Sequence, residues 1–189
     1  MTAPFDLAEA LERKGALLEG HFLLSSGRHS DRFIQKFRIL EDPSLVEPIA
    51  RSIADAFVAE RPTVVVSAAV GGIVLGYETA RALGARAVFV EKERGVPVLR
   101  RGFSLEPHDR ALIVEDVMTT GGSVREVLDV VRGRGCEVLG VAAIVRRGDV
   151  QLGVRTLALL DLPLRSYDPD ECPLCAAKEP LADPGSRRA

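Results

Sequence analysis

Two adjacent carboxylates, Glu115 and Asp116, follow a run of four apolar residues and precede a turn that carries two threonines, two glycines and a serine. The apolar run, residues 111–114, fits a strand that is buried on both faces. From residue 124 onward, apolar side chains recur at helical spacing, so the glycines stand where a strand becomes a helix. We therefore expect the carboxylates at the carboxyl end of a strand, beside the N-terminus of a helix.

The turn between this strand and this helix has the chemistry of a phosphate pocket. The first turn of a helix carries unpaired backbone N–H groups and the positive end of the helix dipole. Gly121 and Gly122 let these donors approach an anion without a Cβ in the way, and Thr119, Thr120 and Ser123 add hydroxyl donors. The neighbouring acids would repel phosphate unless they accept hydrogen bonds from sugar hydroxyls or hold the water shell of Mg²⁺. The combination predicts a ribose 5-phosphate, although a glycine turn alone is also common as plain geometry in α/β proteins.

A second glycine turn opens a helix earlier in the chain. Residues 63–66 predict a core strand, residues 74–83 predict a helix, and Gly71 and Gly72 lie between them. A ligand with two phosphorylated groups would require such a second anion site, because open parallel sheets bind ligands at the carboxyl ends of their strands. The structural alternative is close packing of the strand on the helix.

Residues 91–103 are charged and are interrupted by two glycines and a proline, so they predict a long loop. Basic side chains in a mobile loop beside a polyphosphate could neutralise a leaving diphosphate while water is excluded. The alternative is a solvated surface loop. The basic residues in question are Lys92, Arg94, Arg100 and Arg101.

The composition of the 189 residues restricts the class of protein. A formal net charge of −2 gives no basic field that would attract nucleic acid. No run approaches the roughly 20 apolar residues of a membrane helix, and the N-terminus has no apolar stretch typical of a signal peptide. Three cysteines argue against a secreted disulfide framework. We expect a cytoplasmic protein that binds small molecules, with neither nucleic acid nor membrane as a partner.

Two of the cysteines, Cys172 and Cys175, form a Cys-Pro-Leu-Cys sequence near the C-terminus. They could be half of a tetrathiolate zinc site, a redox pair or two buried thiols. Because one chain lacks two further cysteine ligands, zinc would require a second subunit or histidine partners.

The remaining pattern predicts one domain of class α/β. A helix over residues 5–18, two short strands over 21–36 and a helix over 43–60 precede alternating strands and helices up to residue 160. Residues 161–189 are rich in proline and polar side chains. We therefore divide the single domain of residues 1–189 into an N-terminal unit (1–40), an α/β core (43–160) and a C-terminal extension (161–189).

The string over residues 111–123 closely resembles the phosphoribosyl diphosphate signature of type I phosphoribosyltransferases. Residues 22–33, with a Ser-Gly turn followed by a serine and an aromatic residue, resemble the base-covering hood of orotate phosphoribosyltransferases. The Cys-Pro-Leu-Cys ending is similar to that of one short subgroup. The resemblance spans nearly the whole chain. It implies the type I phosphoribosyltransferase fold, a mostly parallel five-stranded sheet flanked by helices, with a small N-terminal hood.

The resemblance also implies a reaction, a cofactor and an assembly. Orotate and 5-phosphoribosyl 1-diphosphate would give orotidine 5′-monophosphate and diphosphate, a step of pyrimidine (UMP) synthesis, with Mg²⁺ as cofactor. No protein ligand to Mg²⁺ is expected, because the substrate and water would hold the ion. Members commonly form homodimers in which the mobile loop serves the neighbouring site. Two alternatives stay open: a purine or xanthine phosphoribosyltransferase, and a non-catalytic regulator that binds the sugar diphosphate.

Site residues follow from the same resemblance. Glu115, Asp116 and Lys92 are the predicted catalytic residues. The loop lacks the further lysine and histidine usual in the family, so Arg94, Arg100 or Arg101 could assist the departure of diphosphate. Predicted contacts to the sugar diphosphate come from Ala69, Val70, Gly71, Gly72, Lys92, Glu115, Asp116, Val117, Met118, Thr119, Thr120, Gly121, Gly122 and Ser123.

Predicted contacts to orotate come from the hood and from two strand ends. They are Ser25, Ser26, Gly27, Phe33, Thr119 and Arg147. Arg146 stands where most members have aspartate, so the contact to the orotate carboxylate is assigned to Arg147. Gly71 stands where many members have lysine, so backbone N–H groups would bind the diphosphate there.

Overall fold

The computed structural model describes residues 6–24 and 26–184. Its helices are α1 (Leu7–Arg13), α2 (Phe37–Leu40), α3 (Pro43–Phe57), α4 (Gly72–Leu83), α5 (Gly122–Gly133) and α6 (Pro173–Ala176). Its strands are β1 (Leu17–Leu23), β2 (His29–Ile34), β3 (Val64–Ala68), β4 (Arg86–Glu93), β5 (Val96–Leu99), β6 (Arg110–Met118), β7 (Glu137–Arg146), β8 (Thr156–Asp161) and β9 (Leu181–Ala182). Short 3₁₀ helices cover Val58–Glu60 and Pro169–Glu171.

The central sheet has the strand order β5-β4-β3-β6-β7-β8. Strands β4, β3, β6, β7 and β8 are parallel, and β5 pairs antiparallel with β4 at the edge. The chain leaves β3 toward β4 on one side and later returns to β6 on the other side. The carboxyl ends of β3 and β6 are therefore neighbours at the point where the strand order reverses, which is where open α/β sheets bind ligands.

Alternating side chains of β3 explain how the sheet is covered on both faces. Val65 packs in the apolar cluster formed with α3 and α4, whereas Val64 and Val66 pack in the cluster formed with α5. All three are fully buried. This arrangement explains why the core strands have nearly continuous apolar sequences. The predicted α/β class and the mostly parallel sheet flanked by helices are confirmed. The predicted number of five strands is one too few, because the antiparallel β5 adds a sixth.

A second, three-stranded sheet of order β2-β1-β9 forms the N-terminal hood. Strands β1 and β2 are an antiparallel hairpin, and β9 from the C-terminal extension pairs parallel with β1. The hood is therefore built from both ends of the chain.

Two predicted elements were wrong in extent or type. The helix predicted over residues 5–18 is α1 alone, and β1 already begins at Leu17; Phe5 lies outside the described residues. The loop predicted over residues 91–103 is largely a hairpin, because β4 continues to Glu93 and β5 covers Val96–Leu99. Gly95 occupies the turn with a φ of 85°, so the residues that suggested a loop make a tight turn instead.

None of the helices in the part of the chain described by the structure is long and apolar enough to cross a membrane.

The close approach of β7 to α3 generates a stability prediction. A Cβ added at Gly140 would lie 2.7 Å from Cε1 of Phe57 and 2.9 Å from the carbonyl oxygen of Arg155. Because the Phe57 ring is fully buried, we expect Gly140→Ala to lower the free energy of unfolding by about 1–3 kcal/mol. Gly133→Ala is the matched control, since a Cβ there meets no atom within 4 Å and alanine favours the helix. Urea unfolding that ranks Gly140→Ala as the more stable variant would contradict this packing.

Candidate active site

The predicted phosphate turn lies between β6 and α5 and has the expected geometry. Residues 111–114 are buried, and α5 begins at Gly122 without a side-chain cap, so its first N–H groups are available to an anion. Gly121 has a φ of 78°, and a Cβ there would lie 2.6 Å from Cγ1 of Val150. Both the backbone conformation and the lack of space therefore require glycine at this position.

A cleft of about 250 Å³ lies over this turn. It unites most of the residues that the sequence assigned to the sugar diphosphate, together with Lys92 from β4. The lining residues are Lys92, Glu115, Val117, Met118, Thr119, Thr120, Gly121, Gly122, Ser123, Val124 and Glu126.

Asp116 has a buried carboxylate with both oxygens engaged. Its Oδ1 accepts a hydrogen bond from the backbone N–H of Val117 at 2.6 Å, and its Oδ2 lies 2.7 Å from Nζ of Lys36. Lys36 comes from the link between β2 and α2, so this ion pair joins the hood to the core. Lys36 was not predicted from the sequence, because one lysine in a polar stretch carries no local signal for a partner 80 residues later.

Glu115 is also buried, and its Oε1 accepts a hydrogen bond from the backbone N–H of Asp116 at 3.0 Å. Burial and the adjacent charge of Asp116 raise the pKa of Glu115 to about 8, against the smaller opposing effects of the Asp116 N–H and Lys36. Near neutral pH, Glu115 therefore keeps its proton in the absence of a ligand.

The second predicted turn, between β3 and α4, meets the first one at the acidic pair. A Cβ at Gly71 would overlap Oδ2 of Asp116 and would lie 2.7 Å from Nζ of Lys36. A Cβ at Gly72 would lie 3.6 Å from Oε1 of Glu115. The peptide bond between Ala69 and Val70 is cis, and the Val70 side chain is exposed. The two glycine turns are thus parts of one site.

The basic residues of the β4–β5 hairpin have different surroundings. Lys92 Nζ contacts Oε1 of Glu126 at 2.8 Å at the edge of the cleft. Arg100 and Arg101 pair with glutamates of β4: Arg100 lies 3.2 Å from Glu93, and Arg101 lies 3.0 Å from Glu91. Arg94 occupies the hairpin turn with a φ of 49°. Among these four residues, Lys92 alone lines the cleft.

Two consecutive arginines at the end of β7 differ in their partners. Arg146 makes a bidentate pair with Asp161, with distances of 2.6 and 2.9 Å. The backbone N–H of Arg147 donates to the carbonyl oxygen of Met118 at 2.9 Å, which holds it beside the phosphate turn. Nε of Arg147 is buried and has no hydrogen-bond partner within residues 6–24 and 26–184. Burial also lowers the pKa of Arg147. Arg147 is thus a partly desolvated cation whose Nε donor is available to an anionic group.

Of the predicted hood contacts, Ser26, Gly27 and Phe33 do not line the cleft. Ser25 lies outside the described residues. Ser26 and Gly27 form the β1–β2 turn, and the Phe33 ring packs against Phe22 with centroids 5.8 Å apart. Next to this turn, Arg28 binds the C-terminal extension through Asp168 at 2.6 Å. The structure therefore does not bring Ser26, Gly27 and Phe33 to the residues that line the cleft.

Comparison with known proteins identifies the family of this chain. The family model "Phosphoribosyl transferase domain" matches residues 38–159. The chain is 49% identical over 185 residues to the orotate phosphoribosyltransferase of Pelotomaculum thermopropionicum, covering 97% of both chains. This chain belongs to the orotate phosphoribosyltransferases. Membership in this family, predicted from residues 22–33, 111–123 and 172–175, is confirmed.

Two further comparisons agree with this family. The orotate phosphoribosyltransferase of Desulforamulus reducens is 45% identical over 185 residues, covering 97% of both chains. The crystal structure of orotate phosphoribosyltransferase from Aeropyrum pernix aligns with a TM-score of 0.68 at 29% identity, covering 83% of this chain and 94% of that chain. The matched family domain ends at residue 159, so the C-terminal extension lies beyond it.

The proton on Glu115 generates a prediction of pH dependence. Its pKa is raised from 4.5 to about 8, so the folded chain holds a proton that the unfolded chain loses as pH rises through this range. The contribution of Glu115 to stability is therefore fully present below pH 4.5 and is lost as pH approaches 8. Relative to Glu115→Gln, we expect the wild type to lose roughly 2–4 kcal/mol of unfolding free energy over this interval.

Denaturant unfolding of both proteins at several pH values measures this difference. Glu47→Gln serves as the control, because Glu47 is partly exposed and pairs with Arg51 across one helix turn. Parallel pH profiles for the wild type and Glu115→Gln would show that Glu115 does not hold the proton.

Proposed function

We propose that this chain transfers the 5-phosphoribosyl group from 5-phosphoribosyl 1-diphosphate to N1 of orotate, as its relatives' name indicates. The N1–C1′ bond forms, the C1′–O bond to diphosphate breaks, and the proton of N1 is lost. The observation that carries the proposal is the meeting of two glycine turns at the buried Glu115–Asp116 pair. Beside the first turn lies Arg147, whose buried Nε has no hydrogen-bond partner among the described residues.

Each region of the site has a role that fits its chemistry. The 5′-phosphate binds at the N-terminus of α5, where residues 119–123 supply N–H and hydroxyl donors. Glu115 and Asp116 accept hydrogen bonds from the ribose hydroxyls. Residues 69–72 bind the diphosphate through backbone N–H groups, since Gly71 has no side chain to offer. Lys36, already in contact with Asp116, supplies a cation close to Gly71.

The reaction depends more on neutralising the charge of the leaving diphosphate than on a strong base. Diphosphate leaves with negative charge while C1′ becomes cationic, so the reaction requires cations near the leaving group. Lys92 is the proposed hairpin residue for this task, because Arg100 and Arg101 face the glutamates of β4.

Magnesium is part of this proposal. Both oxygens of Asp116 already have partners, and Glu115 holds a proton, so neither carboxylate is a ready direct ligand. This donor set fits an ion held by substrate oxygens and water, with Glu115 and Asp116 able to bind the water shell. When bound, magnesium supplies charge neutralisation at the diphosphate.

The homodimer and the cytoplasmic location stay predictions. Three exposed apolar side chains, Val70 just before α4 and Val74 and Tyr77 within it, follow one another at intervals of four and three residues. Such a stripe supports a contact between two copies of the chain.

The decisive measurement is the loss of orotate absorbance after addition of the sugar diphosphate and Mg²⁺. We expect turnover with orotate and none with adenine, hypoxanthine or xanthine, because Arg147 offers a guanidinium to a carboxylate that these purines lack. Diphosphate release with a purine but not with orotate would favour the purine enzyme. Absence of release with every base, with retained binding of the sugar diphosphate, would favour a non-catalytic regulator.

Arg147 and Arg146 provide a matched pair of variants. A charge-assisted hydrogen bond contributes about 1.5–3 kcal/mol, so Arg147→Gln should raise the KM for orotate by about 10–100-fold. The KM for the sugar diphosphate should change by less than about threefold. Arg146→Gln removes only a partly exposed pair with Asp161 and should leave both constants nearly unchanged. A larger effect of Arg146→Gln on the orotate KM would reverse the assignment.

A further inference from the structure

Four potential metal ligands from distant parts of the chain meet between the hood and the C-terminal extension. His21 lies on β1 and His29 lies on β2. Cys172 directly precedes α6, and Cys175 lies within it. One ligand atom of each residue lies within 4.8 Å of the other three. We propose that these four side chains bind one zinc ion, which fastens the C-terminal extension to the hood.

The distances within the cluster fit a tetrahedral site. Zinc bonds of about 2.0–2.1 Å to nitrogen and about 2.3 Å to sulfur place tetrahedral ligands about 3.3 Å (N to N) and about 3.6 Å (N to S) apart. His21 Nε2 lies 2.9 Å from His29 Nδ1, and it lies 3.6 and 3.7 Å from the sulfurs of Cys172 and Cys175. Cys175 Sγ lies 3.3 Å from His29 Nδ1. Small outward shifts of the two imidazoles complete the site.

The tautomer of His21 is fixed in the form that binds metal. Its Nδ1 lies 2.9 Å from the carbonyl oxygen of Glu179, and a carbonyl can only accept a hydrogen bond. Nδ1 therefore carries the proton, and the lone pair of Nε2 points at the cluster. A backbone carbonyl that orients a histidine in this way is typical of the surroundings of zinc ligands.

Ligand chemistry and burial favour zinc over other cations. Two cysteines and two histidines are soft and intermediate ligands that select zinc, whereas magnesium prefers oxygen. Two thiolates and two neutral imidazoles also balance the charge of Zn²⁺. His21, His29 and Cys172 are buried, and Cys175 is exposed at the rim, which leaves an entry path.

Beyond the partial packing of Leu162 and Leu164 against the core, the other attachments of the extension are polar. They include two backbone hydrogen bonds between His29 and Tyr167, and hydrogen bonds from Ser30 to Arg165 and from Arg28 to Ser166. Cys172 is the only buried residue within 161–184. The pairing of β9 with β1 involves two residue pairs, and the ion pair between Arg28 and Asp168 is exposed. A segment with so little apolar burial requires another source of stability, and a structural metal supplies binding energy directly to folding. His21 and Cys172 are 151 residues apart, so the zinc would close most of the chain into one loop.

Metal analysis of the intact chain tests the proposal without reference to activity. The protein should be prepared in reductant, without a metal-binding tag and without chelator. We expect about one zinc per chain by elemental mass spectrometry. Cobalt added to the metal-free wild type should give intense visible d–d bands and a near-ultraviolet thiolate charge-transfer band, both typical of tetrahedral ligation by sulfur.

Variants separate this site from adventitious thiol binding. Cys172→Ser and Cys175→Ser should each weaken zinc binding by at least about tenfold. Cys136→Ser is the matched control, because Cys136 is buried elsewhere and its thiol donates to the carbonyl oxygen of Glu106 at 3.1 Å. A strong chelator should lower the unfolding temperature of the wild type and of Cys136→Ser, but not that of Cys172→Ser.

Three outcomes would overturn the proposal. One is a wild-type chain that binds no zinc when its thiols are reduced and zinc is in excess. Another is a cobalt spectrum without the thiolate band, which requires no variant and so does not depend on variant folding. The third is a Cys172–Cys175 disulfide in metal-free protein prepared under reducing conditions, which would make the cysteines a redox pair.

Discussion

The site depends on how two adjacent carboxylates are accommodated at the buried end of β6. Two ionised carboxylates that lie side by side in a buried, low-dielectric environment repel each other and lose their hydration. Their negative charge must therefore be neutralised. The charge of Asp116 is neutralised by the ammonium of Lys36 at 2.7 Å, and the charge of Glu115 is neutralised by a bound proton. Because Gly71 lacks a Cβ, Lys36 can reach Asp116 through the second turn. The acidic pair, the turn and the cation are therefore one interdependent unit.

This interdependence links the hood to the chemistry of the core. Lys36 follows the last strand of the hood hairpin, so the charge balance at Asp116 requires the hairpin to be docked. At its opposite end, the hairpin meets the C-terminal extension through the His21–Cys172 cluster. The hairpin is thus fixed at two points, one electrostatic and one that we assign to zinc. An extension that lies beyond the matched family domain can in this way influence the geometry near the active site.

The sequence predicted features whose signals are local and continuous. The strand, the acidic pair and the glycine turn over residues 111–123 are contiguous, and each has its own physical requirement, so strand, turn and helix could all be inferred together. Lys36, His21 and His29 could not, because Asp116, Cys172 and Cys175, which they contact, lie 80 or more residues away along the chain. The hairpin over residues 91–99 was missed for another reason: Gly95 and Pro97 are equally compatible with a loop and with an edge hairpin, since proline is tolerated in edge strands.

Selection of the base must come from individual side chains, because the fold by itself does not determine the substrate. The crystal structure of an adenine phosphoribosyltransferase from Trypanosoma brucei has the same fold, with a TM-score of 0.62 at 19% identity. The sheet and its helices are therefore compatible with more than one base. In this chain the side chain of Arg147 is half-buried, and its buried Nε has no hydrogen-bond partner within residues 6–24 and 26–184. A buried donor without a partner lowers stability, and under the proposed function the carboxylate of orotate is the anion that would satisfy it.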